Sequence, residues 1–330
     1  MATKKLRNLS FLTYPRLAKH RDRLGYQVTV FNPLGLYPKG TFHVPHGVYY
    51  ADEEIVFSVV RGGSWHRLDA DLPYSELRGL SPDQLRLAAA LMFCEKRGGA
   101  RLMLYPEQDL NLRIDARRIR LDRADVVQEI RSLVIEECTR SESNDSTYIR
   151  SFAPQRPYEL WPAEEFALDR LNRFWDALDP LHYVLARGVH ALMKADMLSR
   201  HPEFWEEATI SCYIALDASF SYIKEVLARE GVLNASAHDA ARWLHAHFNA
   251  SFGLPEPETS DRYFGEMYEQ RVMTLHPSSR YGESPVAPMM YEDYMFLRRD
   301  LREIFAYLAA GEHGQDYHED VAEYGRTRPI

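Results

Sequence analysis

Cysteine is scarce in this chain, and that scarcity excludes two common kinds of stabilised domain. The three cysteines, Cys94, Cys138 and Cys212, lie far apart and form no Cys-x-x-Cys pair. A disulfide framework uses an even set of cysteines, and a structural zinc site uses closely spaced pairs. We therefore interpret the three as reduced thiols in the core, and we expect no structural metal.

Long apolar runs and phosphate-binding glycine loops are also lacking. No stretch approaches the roughly 18 apolar residues of a membrane span, and the N-terminal MATKKLRNLSFLTYP lacks the apolar run of a secretory signal. The pairs Gly62-Gly63 and Gly98-Gly99 are not part of a helix-opening GxGxxG and are typical of turns. These observations predict a cytoplasmic protein without a membrane partner and without a cofactor.

Charge is distributed unevenly along the 330 residues. Residues 1–140 hold 22 Lys and Arg against 17 Asp and Glu, whereas residues 141–330 hold 18 against 31. Phosphate groups favour local positive charge, so a nucleic acid would prefer the first part of the chain or a local basic patch. The densest basic run indicates either such a patch or a solvated strand edge: Arg113, Arg117, Arg118, Arg120 and Arg123.

The length and the residue patterns predict an α+β protein of two domains. Residues 1–140 form a mixed α/β domain, with β-branched strands at Tyr26–Phe31 and near Glu54–Val60, and with a helix that begins at Ser81-Pro82-Asp83. Residues 141–163 are polar and then proline-bearing, which is typical of a linker. Residues 164–311 show apolar stripes at helical spacing and predict an all-helical bundle. Residues 312–330 form a polar tail.

One stretch of the helical part carries a chemical signature. Arg271 and His276 are separated by four residues at the end of the penultimate predicted helix, and a turn-rich loop and the last helix follow. Residues 165–310 resemble the HEPN superfamily at this point, because its helical bundles carry an Arg-x4–6-His motif in the same topological place. The resemblance implies a homodimeric, metal-independent RNA endonuclease or a related RNA-binding effector. In the endonuclease, Arg271 contacts the scissile phosphate and His276 is the general acid or base.

The residue types suit that chemistry. An imidazole exchanges protons near neutral pH, and a guanidinium can neutralise the charge that develops on a phosphorane. On a regular helix Arg271 and His276 would lie about 140° apart, so they converge only if His276 leaves the helix, which Pro277 favours. Ser278, Ser279 and Arg280 are candidate substrate-binding residues in the following loop, which could equally be an ordinary connector.

Other interpretations of the same residues remain open. Two further pairs, Arg61/His66 and Arg242/His247, have the same spacing. Arg271 could instead pair with acidic neighbours, and Asp217 in the long helix is either a buried partner for it or part of the solvated edge. His245 and His247 resemble a metal pair, but an i,i+2 step on a helix separates their rings by about 200°. The alternative function is a catalytically silent module that dimerises or binds a ligand or partner.

Overall fold

The computed structural model describes eleven segments of the chain: residues 10–12, 26–31, 33, 35–61, 82–96, 106–113, 120–143, 157–179, 182–256, 271 and 291–327. Within them the chain forms two compact units, Met1–Cys94 with Leu102–Leu181 and Glu95–Arg101 with His182–Ile330. Both helices and an antiparallel sheet are present, so the α+β class is confirmed. The division falls after Leu181, later than the predicted linker at 141–163.

The first unit is built on a sheet of six strands. Its strands are β1 (Ser10–Leu12), β2 (Tyr26–Phe31), β4 (Gly40–Val44), β5 (Gly47–Ala51), β6 (Val56–Arg61) and β7 (Pro106–Arg113). Their order is β1-β7-β2-β6-β5-β4, and every neighbouring pair is antiparallel. A separate parallel pair joins β3 (Leu36–Pro38) to β8 (Glu159–Trp161).

Helices of the first unit lie against both faces of this sheet. They are α1 (Pro82–Phe93), α2 (Ala124–Ser143) and α3 (Leu171–Ala177). Val127, Ile130 and Val134 recur at helical spacing on α2 and pack into one buried cluster with alternate residues of the strands, such as Val28 and Val59. Ser58 lies one step from Val59 and therefore points to the opposite face, where its hydroxyl bonds Gln84 of α1 at 2.5 Å.

The β4–β5 hairpin is one part of the sheet that the sequence patterns did not predict. Its two-residue connection is Pro45-His46, and His46 has a positive φ of 60°. Two-residue hairpin turns usually carry Asn or Gly at such positions, because other residues are strained there. The turn therefore lacked the signal by which hairpins are recognised, although β2 and β6 were predicted correctly.

The second unit is helical in its described residues. It contains α4 (Tyr183–Leu198), α5 (Trp205–Arg229), α6 (Ala237–His247), α7 (Tyr291–Ala310) and α8 (Gln315–Thr327). Helices α4 and α5 pack most extensively against each other, and α7 packs against both. None of the described helices is long and apolar enough to cross a membrane.

Local signals explain where these helices begin and end. Ser236 accepts a hydrogen bond from the Asp239 amide, and the Asp239 carboxylate accepts one from the Ser236 amide, which is a capping box at the start of α6. Gly311, at φ 70°, follows the end of α7 in the left-handed conformation that glycine tolerates. The prediction of a polar tail at residues 312–330 is corrected by the structure. Most of this segment forms α8, and its Tyr317 is buried.

We predict that Gly188→Ala destabilises the helical unit. A Cβ at Gly188 of α4 would collide with the outer edge of the Phe305 ring on α7, so the buried ring or its helix would have to shift. Overpacking of this kind costs about 1–3 kcal/mol of unfolding free energy, which urea unfolding measures.

Gly325→Ala on α8 is the matched control. No atom lies within 4 Å of a Cβ built there, and alanine is the better helix former, so the variant should be neutral or slightly stabilised. Equal unfolding midpoints for the two variants would contradict the proposed contact.

Candidate functional site

Arg271 is the predicted site residue that the structure describes. His276, Ser278, Ser279 and Arg280 lie outside the described residues. Arg271 is helical and belongs to the second unit, and α7 begins twenty positions further along the chain. The structure therefore places Arg271 relative to α5. The convergence of Arg271 and His276 stays a prediction.

The Arg271 guanidinium is held against the middle of α5. Its Nη1 donates to Oδ2 of Asp217 at 2.5 Å, and the two side chains are 32% and 53% exposed. The flanking residues Leu216 and Ala218 are buried, so Asp217 lies where the buried stripe of α5 meets solvent. Both open interpretations of Asp217 thus hold in part, because it is a partner of Arg271 and also belongs to the solvated edge.

The second Arg-x4-His pair has a different arrangement. Arg242 and His247 both lie on α6, where Arg242 is exposed and its Nε lies 3.5 Å from Glu256. The His247 ring stacks on Trp243 at 4.1 Å, and its Nδ1 lies 2.7 Å from the Trp243 carbonyl oxygen. Arg242 and His247 therefore have separate local partners and do not form a common site. His66 of the third pair lies outside the described residues.

The other candidates give no ligand site within the described part of the chain. No cluster of three or more His, Cys, Asp or Glu suited to a metal ion occurs among the described residues. His245 and His247 therefore belong to no such cluster. In the basic run, Arg120 and Arg123 are exposed and pair at 2.5 Å with Asp122 and Asp125. These local carboxylates offset the positive charge that a nucleic acid would require. Arg117 and Arg118 lie outside the described residues.

A buried ionic cluster, which sequence patterns did not predict, lies at the centre of the helical unit. The Arg298 side chain of α7 is completely buried between Glu95 and Asp196. Its Nη1 and Nη2 donate to the Glu95 carboxylate at 2.6 and 2.9 Å, and its Nε and Nη2 donate to the Asp196 carboxylate at 2.9 and 2.7 Å. The Tyr294 hydroxyl donates to Asp196 at 2.7 Å. Two bidentate carboxylates thus fix one guanidinium.

One helical turn further along α7, Arg302 extends this cluster. Its Nη1 donates to the Glu95 carbonyl oxygen and its Nη2 to Glu303, both at 2.6 Å. The Glu303 carboxylate also accepts a hydrogen bond from the Gly314 amide at 2.9 Å. A Cβ at position 314 would collide with that carboxylate, which would have to shift and weaken its bond to the Gly314 amide. The cluster therefore ties α7 to the start of α8.

Burial and mutual attraction determine how these groups titrate. Burial alone would lower the pKa of Arg298, but the Asp196 and Glu95 carboxylates outweigh it and raise that pKa well above its usual value. Burial raises the pKa of Glu95 by more than Arg298 and Arg302 lower it. Arg298 is consequently a permanent buried cation, and Glu95 is the partner whose pKa is raised.

The sequence did contain a signal for this cluster. The apolar stripe predicted for the last helix includes Tyr294, Leu297 and Leu301, and residues 298 and 302 are adjacent to that stripe and one turn apart. If the guanidinium groups of these two arginines are buried, they require buried acids elsewhere in the fold. The acids themselves could not be identified, because Glu95 and Asp196 lie about 200 and 100 positions away.

With this geometry established, we compared the chain with known proteins. It matches no protein-family model, no curated protein and no solved structure.

We predict that Arg298→Met strongly destabilises the protein. Glu95 and Asp196 would then be buried without their shared cation. Such a loss lowers the free energy of unfolding by about 3–5 kcal/mol. Chemical unfolding followed by circular dichroism measures the loss.

Arg299→Met, one residue along α7, provides the control. Arg299 is 42% exposed and its contacts with Asp300 and Asp320 are 3.5 and 3.9 Å, so its loss should change stability by about 0.5 kcal/mol or less. Similar losses at positions 298 and 299 would show that the buried cluster does not carry the stability assigned to it.

Proposed function

We propose that the helical unit is a metal-independent RNA endonuclease of HEPN type, in which Arg271 binds the scissile phosphate and His276 transfers protons. The observation that carries the proposal is the Arg271–Asp217 contact. This contact fixes the Arg271 guanidinium at the edge of the helical unit, and the side chain is still about one-third exposed. Arg271 precedes α7 in the chain. A fixed, accessible cation is what recognition of a phosphodiester requires.

The proposed reaction is a transesterification within the RNA strand. The 2′-hydroxyl loses its proton to a base and attacks the adjacent phosphorus, the bond to the 5′-oxygen breaks, and that oxygen takes up a proton. Arg271 neutralises the extra negative charge on the phosphoryl oxygens during the attack. His276 serves as the base or as the acid, and a second copy of the motif in a homodimer supplies the complementary group. The products carry a 2′,3′-cyclic phosphate and a 5′-hydroxyl.

The packing of the helices supports the proposal at the level of architecture. Helices α4 and α5 form the most extensive contact in the unit, and α7 packs against both, which is compatible with the helical bundle that the resemblance implies. Ser278, Ser279 and Arg280 follow the motif after Pro277 and are proposed to bind the neighbouring phosphate or sugar.

A second candidate is a catalytically silent module that dimerises through its helices or binds a partner. The same Arg271–Asp217 contact favours it, because a carboxylate at 2.5 Å offsets the charge of the guanidinium. The acidic composition of residues 141–330 points the same way, since it repels RNA. The two candidates differ in one measurable respect, which is whether RNA is cut.

We predict that the wild-type protein cleaves a mixed pool of labelled RNAs in EDTA and leaves cyclic-phosphate ends. His276→Ala should lower the cleavage rate by about 100-fold or more, the usual contribution of a general acid or base. Arg271→Ala should lower it by about 100- to 1000-fold, because the transition-state charge is then unsupported. Gel assays under single-turnover conditions measure both losses.

The other described Arg-x4-His pair supplies the control. Arg242→Ala removes the exposed guanidinium of the Arg242/His247 pair on α6. The cleavage rate of this variant should stay within about twofold of the wild-type rate. Equal losses for Arg242→Ala and Arg271→Ala would indicate non-specific RNA binding. No cleavage by the folded wild-type dimer at micromolar concentration would reject the nuclease and favour the silent module.

A further inference from the structure

The junction between α7 and α8 contains a carboxylate that is buried without a hydrogen bond. Asp316 Oδ2 lies 3.6 Å from Arg302 Nη2, which is too long for a hydrogen bond. That same nitrogen donates to Glu303 at 2.6 Å. Neither oxygen of the Asp316 carboxylate has a hydrogen-bond partner among the described residues, and both are shielded from solvent.

The count of charges around Asp316 is unbalanced. Two cations, Arg298 and Arg302, belong to the same contiguous cluster as four carboxylates, and their side-chain exposures range from 0 to 13%. The carboxylates are Glu95, Asp196, Glu303 and Asp316. A buried excess of negative charge is costly, so such a cluster takes up protons. The Asp316 carboxylate has the weakest contact with a cation and is the acid to which a proton adds most readily.

We propose that α8 is a proton-controlled latch, which closes when Asp316 is protonated and loosens when Asp316 becomes charged. A neutral Asp316 carboxyl can remain buried beside Arg302 and can donate its own hydrogen bond. A charged one must compete with Glu303 for the same guanidinium nitrogen. The start of α8 is the element that responds, because Asp316 lies in its first turn.

The direction of the pH effect follows from the pKa of Asp316 in the two states. Burial, together with the nearby Glu303 and Glu319 carboxylates, raises this pKa from 3.8 to about 7 in the docked state, although Arg302 lowers it. In a released α8 the pKa returns to its ordinary value. Docking therefore weakens as pH rises from about 4 to about 7, and the contribution of Asp316 is constant above that range.

His313, in the α7–α8 connection, affects the docking of α8 in the opposite direction, because its protonation weakens docking. Its ring stacks between Tyr307 and Tyr317, with centroids 4.5 and 3.9 Å away. Burial and His318 lower its pKa, against the effects of Glu303 and of a hydrogen bond to the His247 backbone. Protonation of His313 below pH 6.5 therefore works against docking. Comparison of the wild type with an Asp316 variant cancels this contribution.

Release of the latch would uncover aromatic surface on the helical unit. The Tyr317 hydroxyl donates to the Phe248 carbonyl oxygen at 2.6 Å, and its ring contacts those of Phe248 and Phe252 edge-on. Tyr324 contacts Phe252 in the same way. A loosened α8 would expose these rings, so the latch controls access to an apolar surface.

The test compares hydrogen exchange of the α8 amides in the wild type and in Asp316→Asn between pH 5 and pH 8. The asparagine is uncharged at every pH. The ratio of protection, variant to wild type, should rise at least tenfold from pH 5 to pH 7 and then level off, because one pKa unit corresponds to a factor of ten. Asp320→Asn, which removes an exposed carboxylate of the same helix, should give a ratio that does not change with pH.

A direct titration decides the matter even if the variant is poorly folded. Carboxyl-carbon NMR of the wild-type protein should place the midpoint of Asp316 near pH 7. A midpoint below pH 5 would overturn the proposal. A protection ratio that is constant or falls with pH, in a variant with wild-type helicity, would overturn it as well.

Discussion

The helical unit depends on one buried cation. Arg298 is completely enclosed, and its hydrogen bonds extend to Glu95 on one side and to Asp196 of α4 on the other. An uncompensated charge in this environment would be very costly, so α4, α7 and the Glu95 segment must come together in one arrangement. Apolar side chains of similar volume could fill the same space but would tolerate several arrangements. The ionic cluster thus specifies how the helices are registered against one another.

The first unit uses a smaller version of the same principle. Asp52, in the turn between β5 and β6, accepts hydrogen bonds from the backbone amides of Glu54 and Ile55 and from Arg131 of α2. These contacts lower the pKa of Asp52, even though burial raises it. Here the charged pair lies at the edge of an apolar core and aligns the helix with the strands. In both units, polar contacts fix the register and apolar contacts supply most of the free energy of folding.

Sequence patterns predicted the elements whose signals are local. Apolar periodicity predicted helices over residues 164–311, and α4 to α7 lie within that range. The β4–β5 hairpin was missed because Pro45-His46 is not a usual turn pair, and α8 was missed because its surface is mostly polar. The candidate site was predicted in part. Arg271 and its partner Asp217 could be named from the helix pattern, whereas the Glu95–Arg298–Asp196 cluster could not, since it joins residues that are distant in sequence.

Glu95 belongs to the helical unit but lies, in sequence, between two segments of the first unit. This position limits which fragments of the protein can fold. The chain enters the helical unit first at Glu95–Arg101 and returns to it at His182, after completing the first unit. A fragment that begins at His182 would contain the described helices α4 to α8 but would leave one side of Arg298 without its carboxylate. The helical unit is thus not a single continuous stretch of the sequence. During translation, Glu95 emerges long before α7, so the helical core is completed only when α7 meets a residue made about 200 positions earlier.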